Sequence, residues 1–239
     1  MQRRIWWSAF VLLITLCGCP AANRYGTPRT MPAGTSGHVL SLDGNLLSDD
    51  MVGSFLCGSG AAEETGEPAD DPCKGRDLTP LPFPNVVYTW RHGLAQGLEL
   101  GVGAGTAPFL GLDLKVELLR SRYFDAAVAP TLATSFIYPS VSLPLLLGIN
   151  LSNDVALLPQ AGAHLFTAIP DQESHIAFWW SAGLGAQFRS DDDFALQPSL
   201  QWMASSEANI LTAGLGLVWG PRPADPPPPV SNDDFRTDI

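Results

Sequence analysis

Apolar and polar residues alternate with a period of two over most of the chain between residues 85 and 219. In the segment 110–118 (LGLDLKVEL), leucine or valine occupies every second position, and glycine or a charged residue lies between them. The same alternation starts again at Leu98, Ile176, Phe194 and Leu211. Successive side chains of a strand point to opposite faces, so the pattern predicts β-strands with one apolar face. Frequent glycine on the other face disfavours helices.

The alternating stretches are separated by turn-like sequences, which predicts an all-β fold: a single up-and-down antiparallel β-barrel. Most predicted strands are near the 9–11 residues that a tilted strand needs to cross a bilayer. We predict about ten strands, with eight or twelve as alternatives, at residues 37–46, 85–91, 96–104, 109–119, 123–136, 138–151, 154–167, 175–188, 194–203 and 209–219.

The distribution of charge indicates where the apolar face lies. Only 15% of residues are charged, and the stretches 126–153, 174–188, 194–206 and 208–220 contain no Asp, Glu, Lys or Arg. A water-exposed surface is normally about 25–35% charged. We therefore predict a transmembrane barrel, with the leucine face against lipid and the Gly, Ala, Ser, Thr and Gln face lining a narrow lumen. The alternative is a soluble periplasmic lipoprotein barrel that binds an apolar ligand inside.

A resemblance supports the membrane prediction. The strand Tyr88-Thr89-Trp90-Arg91-His92-Gly93, followed by Gly97-Leu98-Glu99-Leu100-Gly101, resembles segments of small outer-membrane β-barrel proteins of Gram-negative bacteria. Over 85–219 it implies an outer-membrane protein with a structural, surface-interaction or limited small-solute transport role. Such barrels usually end in an aromatic residue, whereas here residues 220–239 follow Trp219.

The N-terminus predicts export and lipidation. Arg3 and Arg4 precede the apolar segment 5–16, which is shorter than the roughly 20 residues that a membrane-spanning helix needs. The following Leu16-Cys17-Gly18-Cys19 resembles the lipobox of bacterial lipoproteins. This implies a signal peptide at 1–18, a lipid attached to Cys19 and a tether at 19–36. An ordinary secretory signal is the alternative.

The remaining cysteines and the charged segments complete the domain prediction. Cys57 and Cys73 lie in an acidic loop, 47–84, of an exported chain, so we predict a disulfide. With an even number of strands both termini lie in the periplasm, and this loop is extracellular. The barrel domain is then 37–219. The Pro-rich tail, 220–239, would face the periplasm and could contact a periplasmic or cell-wall partner.

Charged residues on the predicted inner face occur early in the barrel. Simple hairpin registers place Arg91 and Lys115 on either side of Glu99, which predicts a salt-bridge cluster that fills the lumen. A selectivity patch in a narrow pore is the alternative. The net charge of −11 excludes a typical nucleic-acid binder, and no motif predicts a metal or cofactor. The predicted lumen cluster comprises Arg91, Glu99, Asp113, Lys115, Glu117 and Asp125.

An outer-membrane hydrolase is the enzymatic alternative. His164 and His175 flank a segment containing Asp171, Glu173 and Ser174, so an acid–base pair is conceivable there. No Ser–His or paired-Asp arrangement stands out along the chain. We therefore predict a protein without enzymatic activity.

Overall fold

The structure, a computed structural model, describes residues 25–47, 83–106, 109–135, 138–167, 176–191, 193–206 and 209–221. Every regular element in these ranges is a β-strand. The strands are β1 (Ser36–Leu47), β2 (Phe83–Ala95), β3 (Leu98–Gly105), β4 (Phe109–Arg120), β5 (Phe124–Val128), β6 (Thr131–Ser135), β7 (Tyr138–Asn150), β8 (Val155–Thr167), β9 (Ile176–Asp191), β10 (Phe194–Ala204) and β11 (Asn209–Trp219). Among the described residues, no helix is long and apolar enough to cross a membrane.

The strands form one closed antiparallel barrel. Apart from β5 and β6, each strand pairs with its neighbours along the chain, and β1 pairs with β11 from His38–Trp219 to Leu47–Ile210, which closes the sheet. Strands β5 and β6 share one place, because both lie between β4 and β7. The barrel therefore has ten strand positions, and the predicted ten-stranded up-and-down barrel is confirmed.

The division between β5 and β6 corrects the predicted single strand at 123–136. Pro130 lacks an N–H group and cannot donate to the ladder. The backbone bonds change around this point: Ala129 N donates to Pro144 O at 3.0 Å, and Leu114 N donates to Pro130 O at 3.1 Å. The barrel wall continues across the break, although the regular strand does not.

The two ends of the barrel differ in their connections. At one end, called the turn end below, the connections at 96–97, 121–123, 151–154 and 192–193 are short. At the other, the loop end, lies the long connection between Leu47 and Phe83, whose residues 48–82 fall outside the described residues. The first turn also lies later than predicted, since the strand expected at 85–91 continues as β2 to Ala95, and Gly97 makes the turn with a φ of +78°.

Apolar side chains cover the outer surface, and polar side chains line the lumen. On β4, Leu110, Leu112 and Leu114 are 58%, 47% and 38% exposed, whereas Asp113 and Lys115 are only 5% and 3% exposed. This confirms the predicted orientation of the leucine face, and it is the reverse of a soluble barrel that holds an apolar ligand. Further buried polar residues are Ser41, Asp43, Asn45, Asn85, Ser142, Gln160, Ser181, Gln187, Gln197, Gln201 and Thr212.

Candidate functional site

The Glu99 carboxylate lies at the centre of the charged lumen. It is fully buried, and its Oε1 atom is 2.8 Å from Arg91 Nη1 and 2.9 Å from Lys115 Nζ. Arg91 Nη1 also lies 3.2 Å from Asp113 Oδ1. The pairing of β2, β3 and β4 explains this arrangement, since Glu99 is directly opposite Lys115 and Gly101 is directly opposite both Arg91 and Asp113. Gly101 leaves the space for the Asp113 carboxylate, which a Cβ would contact.

Residues 25–35, called the inner segment, run through the barrel interior against this cluster, and Ala33 and Gly34 near its end are exposed. Met31 N donates to Glu99 Oε2 at 2.9 Å. Lys115 Nζ donates to the carbonyl oxygens of Thr27 at 3.1 Å and Arg29 at 3.0 Å. The sequence predicted an extended tether over 19–36, and within it the structure places residues 25–32 in the barrel interior. Lumen side chains bond to several of its backbone groups, and at its end Gly34 N donates to the carbonyl oxygen of Gly93 at 2.8 Å.

One ion pair and one hydrogen-bonded carboxylate anchor the inner segment close to the turn end. Arg29 Nε lies 2.8 Å from Asp125 Oδ2, and Arg29 Nη2 donates to the carbonyl oxygen of Ser121 at 3.0 Å. Beside it, Thr30 N donates to Glu117 Oε2 at 3.0 Å, and this carboxylate is 2.6 Å from Arg120 Nη2. Glu117 and Asp125 therefore bind the inner segment as well as neighbouring groups of the wall.

Sequence analysis missed Arg29 and Arg120, although a charge count could have indicated them. The six predicted lumen residues comprise four carboxylates and only two cations. Buried charges without counter-ions are costly, so two further cations were needed inside. Arg120 follows the alternation of β4 less regularly, because the register shifts between Glu117 and Leu119. Arg29 lies in a stretch without periodicity.

The opposite wall of the lumen holds the start of the inner segment. The Tyr25 hydroxyl donates to Asp43 Oδ1, and Ser199 Oγ donates to the Tyr25 hydroxyl at 3.1 Å. A Cβ at Gly216 or Gly214 would collide with Tyr25, so these glycines on β11 leave room for the aromatic ring. The inner segment thus extends across the lumen, from β1, β10 and β11 to β3, β4 and β5.

Glutamine, histidine and serine side chains line the half of the lumen nearer the loop end. Gln160 Nε2 donates to Gln201 Oε1 at 3.3 Å, and His164 Nε2 is hydrogen-bonded to Ser181 Oγ at 2.9 Å. An apolar cluster of Phe166, Trp179, Met203 and Ile210 lies nearby.

Of the predicted hydrolase residues, only His164 lies within the described part of the chain, where it lines the lumen. Asp171, Glu173, Ser174 and His175 lie outside it, as do Cys19, Cys57 and Cys73. Within the described ranges, no group of three or more His, Cys, Asp or Glu side chains is placed to hold a metal ion.

Fold and site together define a class: an antiparallel β-barrel with an apolar outer surface and a polar, charged lumen, as in membrane-spanning barrels. No protein-family model matches the chain. A search of curated proteins found no match.

The chain is similar to several solved outer-membrane proteins. Ail, the attachment invasion locus protein of Yersinia pestis, is 13% identical with a TM-score of 0.35, covering 79% of this chain and 99% of its own. The outer membrane protease OmpT of Escherichia coli is 8% identical with a TM-score of 0.40, covering 84% and 98%. The translocator domain of the autotransporter NalP of Neisseria meningitidis is 10% identical with a TM-score of 0.40, covering 90% and 95%. At these scores the similarity assigns no activity to this chain.

Proposed function

We propose that this protein is a lipid-anchored outer-membrane β-barrel whose lumen is closed to most solutes by the inner segment. Its role is structural or in surface interaction, with at most limited transport of small solutes. The observation that carries the proposal is the polarity of the wall: large apolar side chains face outward, and ion pairs and hydrogen-bonded polar groups face inward. Lipid is the medium in which such an outer surface is stable, since a closed barrel leaves no backbone group unpaired there.

The spacing of aromatic residues fits a bilayer. On β9, Phe178 and Phe188 both face outward, and they are ten residues apart near the two ends of the strand. At about 3.3 Å per residue they are separated by about 33 Å along the strand. A strand tilt of about 40° reduces this to about 25 Å along the barrel axis, the height of the apolar band between aromatic girdles in outer-membrane barrels.

Contacts of the inner segment support the proposed closure. Its Pro28 is fully buried, and Arg29 and Thr30 bond to side chains of the wall. A solute crossing the barrel would have to displace this segment and separate ion pairs that already satisfy one another. A narrow barrel filled by its own side chains conducts poorly.

Single-channel recording in planar bilayers tests the closure. We expect no stable conductance from the full-length protein and discrete openings from a variant lacking residues 25–33. A deletion of similar length within the tail, 222–239, is the matched control. This control should show no stable conductance, like the wild-type protein. Large discrete openings of the wild-type protein would refute the proposed closure.

The proposed anchor and topology have separate tests. Cys19→Ser should abolish labelling by radioactive palmitate in growing cells. A tag inserted within 48–82 should be cleaved by protease added to intact cells, whereas a tag after Ile239 should be protected, because both termini are proposed to be periplasmic. Cleavage of the C-terminal tag under these conditions would contradict the topology, and with it a periplasmic or cell-wall partner for the tail.

The proposed disulfide lies in the same extracellular loop. Cys57→Ser should release the thiol of Cys73, which a maleimide reagent added to intact cells would then label. Labelling of both thiols in the wild-type protein would contradict the pairing. The proposed role requires no catalytic step, and His164 acts in it as a residue of the lumen wall.

A further inference from the structure

A small cavity lies between the inner segment and the barrel wall, beside the charged cluster. Its volume is about 30 Å³, and Gly26, Thr27 and Met31 of the inner segment form one side. Because one bound water needs about 10–15 Å³, the cavity has room for about two water-sized groups. Gly220 and Pro221, which follow β11, also line it, so it lies close to the turn end.

Two hydrogen-bond donors on the cavity lining have no partner within the described part of the chain. They are Arg91 Nε and Gln197 Nε2, and their residues are only 8% and 2% exposed. Gln197 is held in place by its other amide atom, since Gly26 N donates to Gln197 Oε1 at 2.6 Å. Arg91 is held by the bonds from its Nη1 atom to Glu99 and Asp113. Both unpartnered groups therefore have fixed positions, and both require an acceptor.

The surrounding charges favour a negative acceptor. The lining includes four cationic side chains, those of Arg29, Arg91, Lys115 and Arg189, and one carboxylate, that of Glu99. Arg29 and Arg91 also pair with Asp125 and Asp113, which lie outside the lining. Both oxygens of Glu99 are already engaged, Oε1 by Arg91 and Lys115 and Oε2 by Met31 N. A water molecule would accept from the free donors but would bring two hydrogens of its own into a site rich in donors. A monoatomic anion accepts several hydrogen bonds and donates none.

We propose that this cavity binds a halide ion, chloride under ordinary conditions, which accepts hydrogen bonds from Arg91 Nε and Gln197 Nε2. Sulfate and phosphate are too large for a space of about two water-sized groups. Because the inner segment and the wall both contribute to the site, the bound ion stabilises the inner segment in the lumen. This inference goes beyond the proposed function, and it requires only the folded barrel, whether or not the lumen conducts.

The test uses the full-length protein folded in detergent micelles. Thermal unfolding is measured as chloride replaces gluconate at constant sodium concentration. A ligand that binds only the folded state lowers the unfolding equilibrium constant by the factor 1 + [L]/Kd, which is about elevenfold at ten times the Kd. We expect a saturable stabilisation of this form by chloride and by bromide, and none by sulfate beyond its general salt effect. A crystal grown in bromide should show an anomalous peak at the cavity.

Variants connect the effect to this site. Gln197→Leu removes one donor and should abolish the chloride dependence. Gln201→Leu, at a buried glutamine four residues along the same strand and outside the cavity lining, should keep it. Arg91→Lys, which keeps the charge and removes the Nε donor, serves as the second variant if Gln197→Leu does not fold.

Three results would overturn the proposal. The first is an unfolding temperature independent of the halide. The second is a chloride dependence unchanged in Gln197→Leu or Arg91→Lys. The third is a bromide peak with no stabilisation in solution, which would indicate binding at crystal concentration only. If the cavity binds only water, the first result is expected, and bromide-grown crystals should show no anomalous peak there.

Discussion

Replacing Glu99 with glutamine tests whether the charged cluster is a dry, interdependent unit. The carboxylate is fully buried and accepts from three donors, namely Arg91 Nη1 at 2.8 Å, Lys115 Nζ at 2.9 Å and Met31 N at 2.9 Å. Glutamine has nearly the same shape but is neutral, and its NH₂ group would face a cation. Arg91 keeps Asp113 as a partner, whereas Lys115 loses its carboxylate.

The expected magnitude follows from that burial. Removing one partner of a buried ion pair costs about 3–5 kcal/mol, because the remaining charge is neither hydrated nor paired. We therefore expect Glu99→Gln to lower the free energy of unfolding by about this amount. The measurement is urea unfolding in detergent micelles, followed by tryptophan fluorescence and by the mobility of unheated samples on gels. Gln201→Leu, which breaks only a neutral hydrogen bond to Gln160, should cost about 1 kcal/mol.

A double-mutant cycle keeps the reasoning testable if the single variant is too unstable to fold. In Glu99→Gln/Lys115→Met the unpaired cation is also removed, so the double variant should lose about 1–3 kcal/mol less than the sum of the two single variants. A loss of under about 1 kcal/mol for Glu99→Gln would mean that the pairs behave as exposed ones do. The assignment of Glu99 to a dry lumen would then be refuted.

Two further substitutions test the outer surface and the inner segment. Leu184→Arg, midway between the aromatic ends of β9, should cost about 2–4 kcal/mol of stability in liposomes, whereas Leu94→Arg near the turn end should cost about 0–1 kcal/mol. Equal costs at both positions would argue against a bilayer around the barrel. Gly216→Ala should displace the Tyr25 ring and increase the rate at which protease cleaves the inner segment. Gly44→Ala, whose Cβ has only Ala213 O near it at 3.8 Å, should leave that rate unchanged. Unchanged proteolysis of Gly216→Ala would show that Tyr25 does not pack on this glycine.

The segment 110–118 illustrates how much the sequence determined. Alternation along a strand is a local property, because each peptide unit turns the next side chain to the other face. The apolar positions therefore identified the outer surface, and the absence of charge between Asp125 and Asp154 predicted that this surface faces lipid before any pairing was known. Antiparallel neighbours joined by short turns then left one closed topology, so ten strand positions could also be predicted.

Tertiary structure decided what fills the barrel. Hairpin registers placed Arg91 and Lys115 beside Glu99, but only closure of the barrel brings Tyr25 to Asp43 and Gln197 to Gly26, pairs separated by up to 171 residues. The inner segment has no periodicity, and each of its groups is positioned by a different strand. Its place could not be predicted from local pattern, since burial there depends on charge balance across the whole lumen. The two breaks in regularity, at Pro130 and Gly97, were visible as residues, but their positions in the ladder depended on the neighbouring strands.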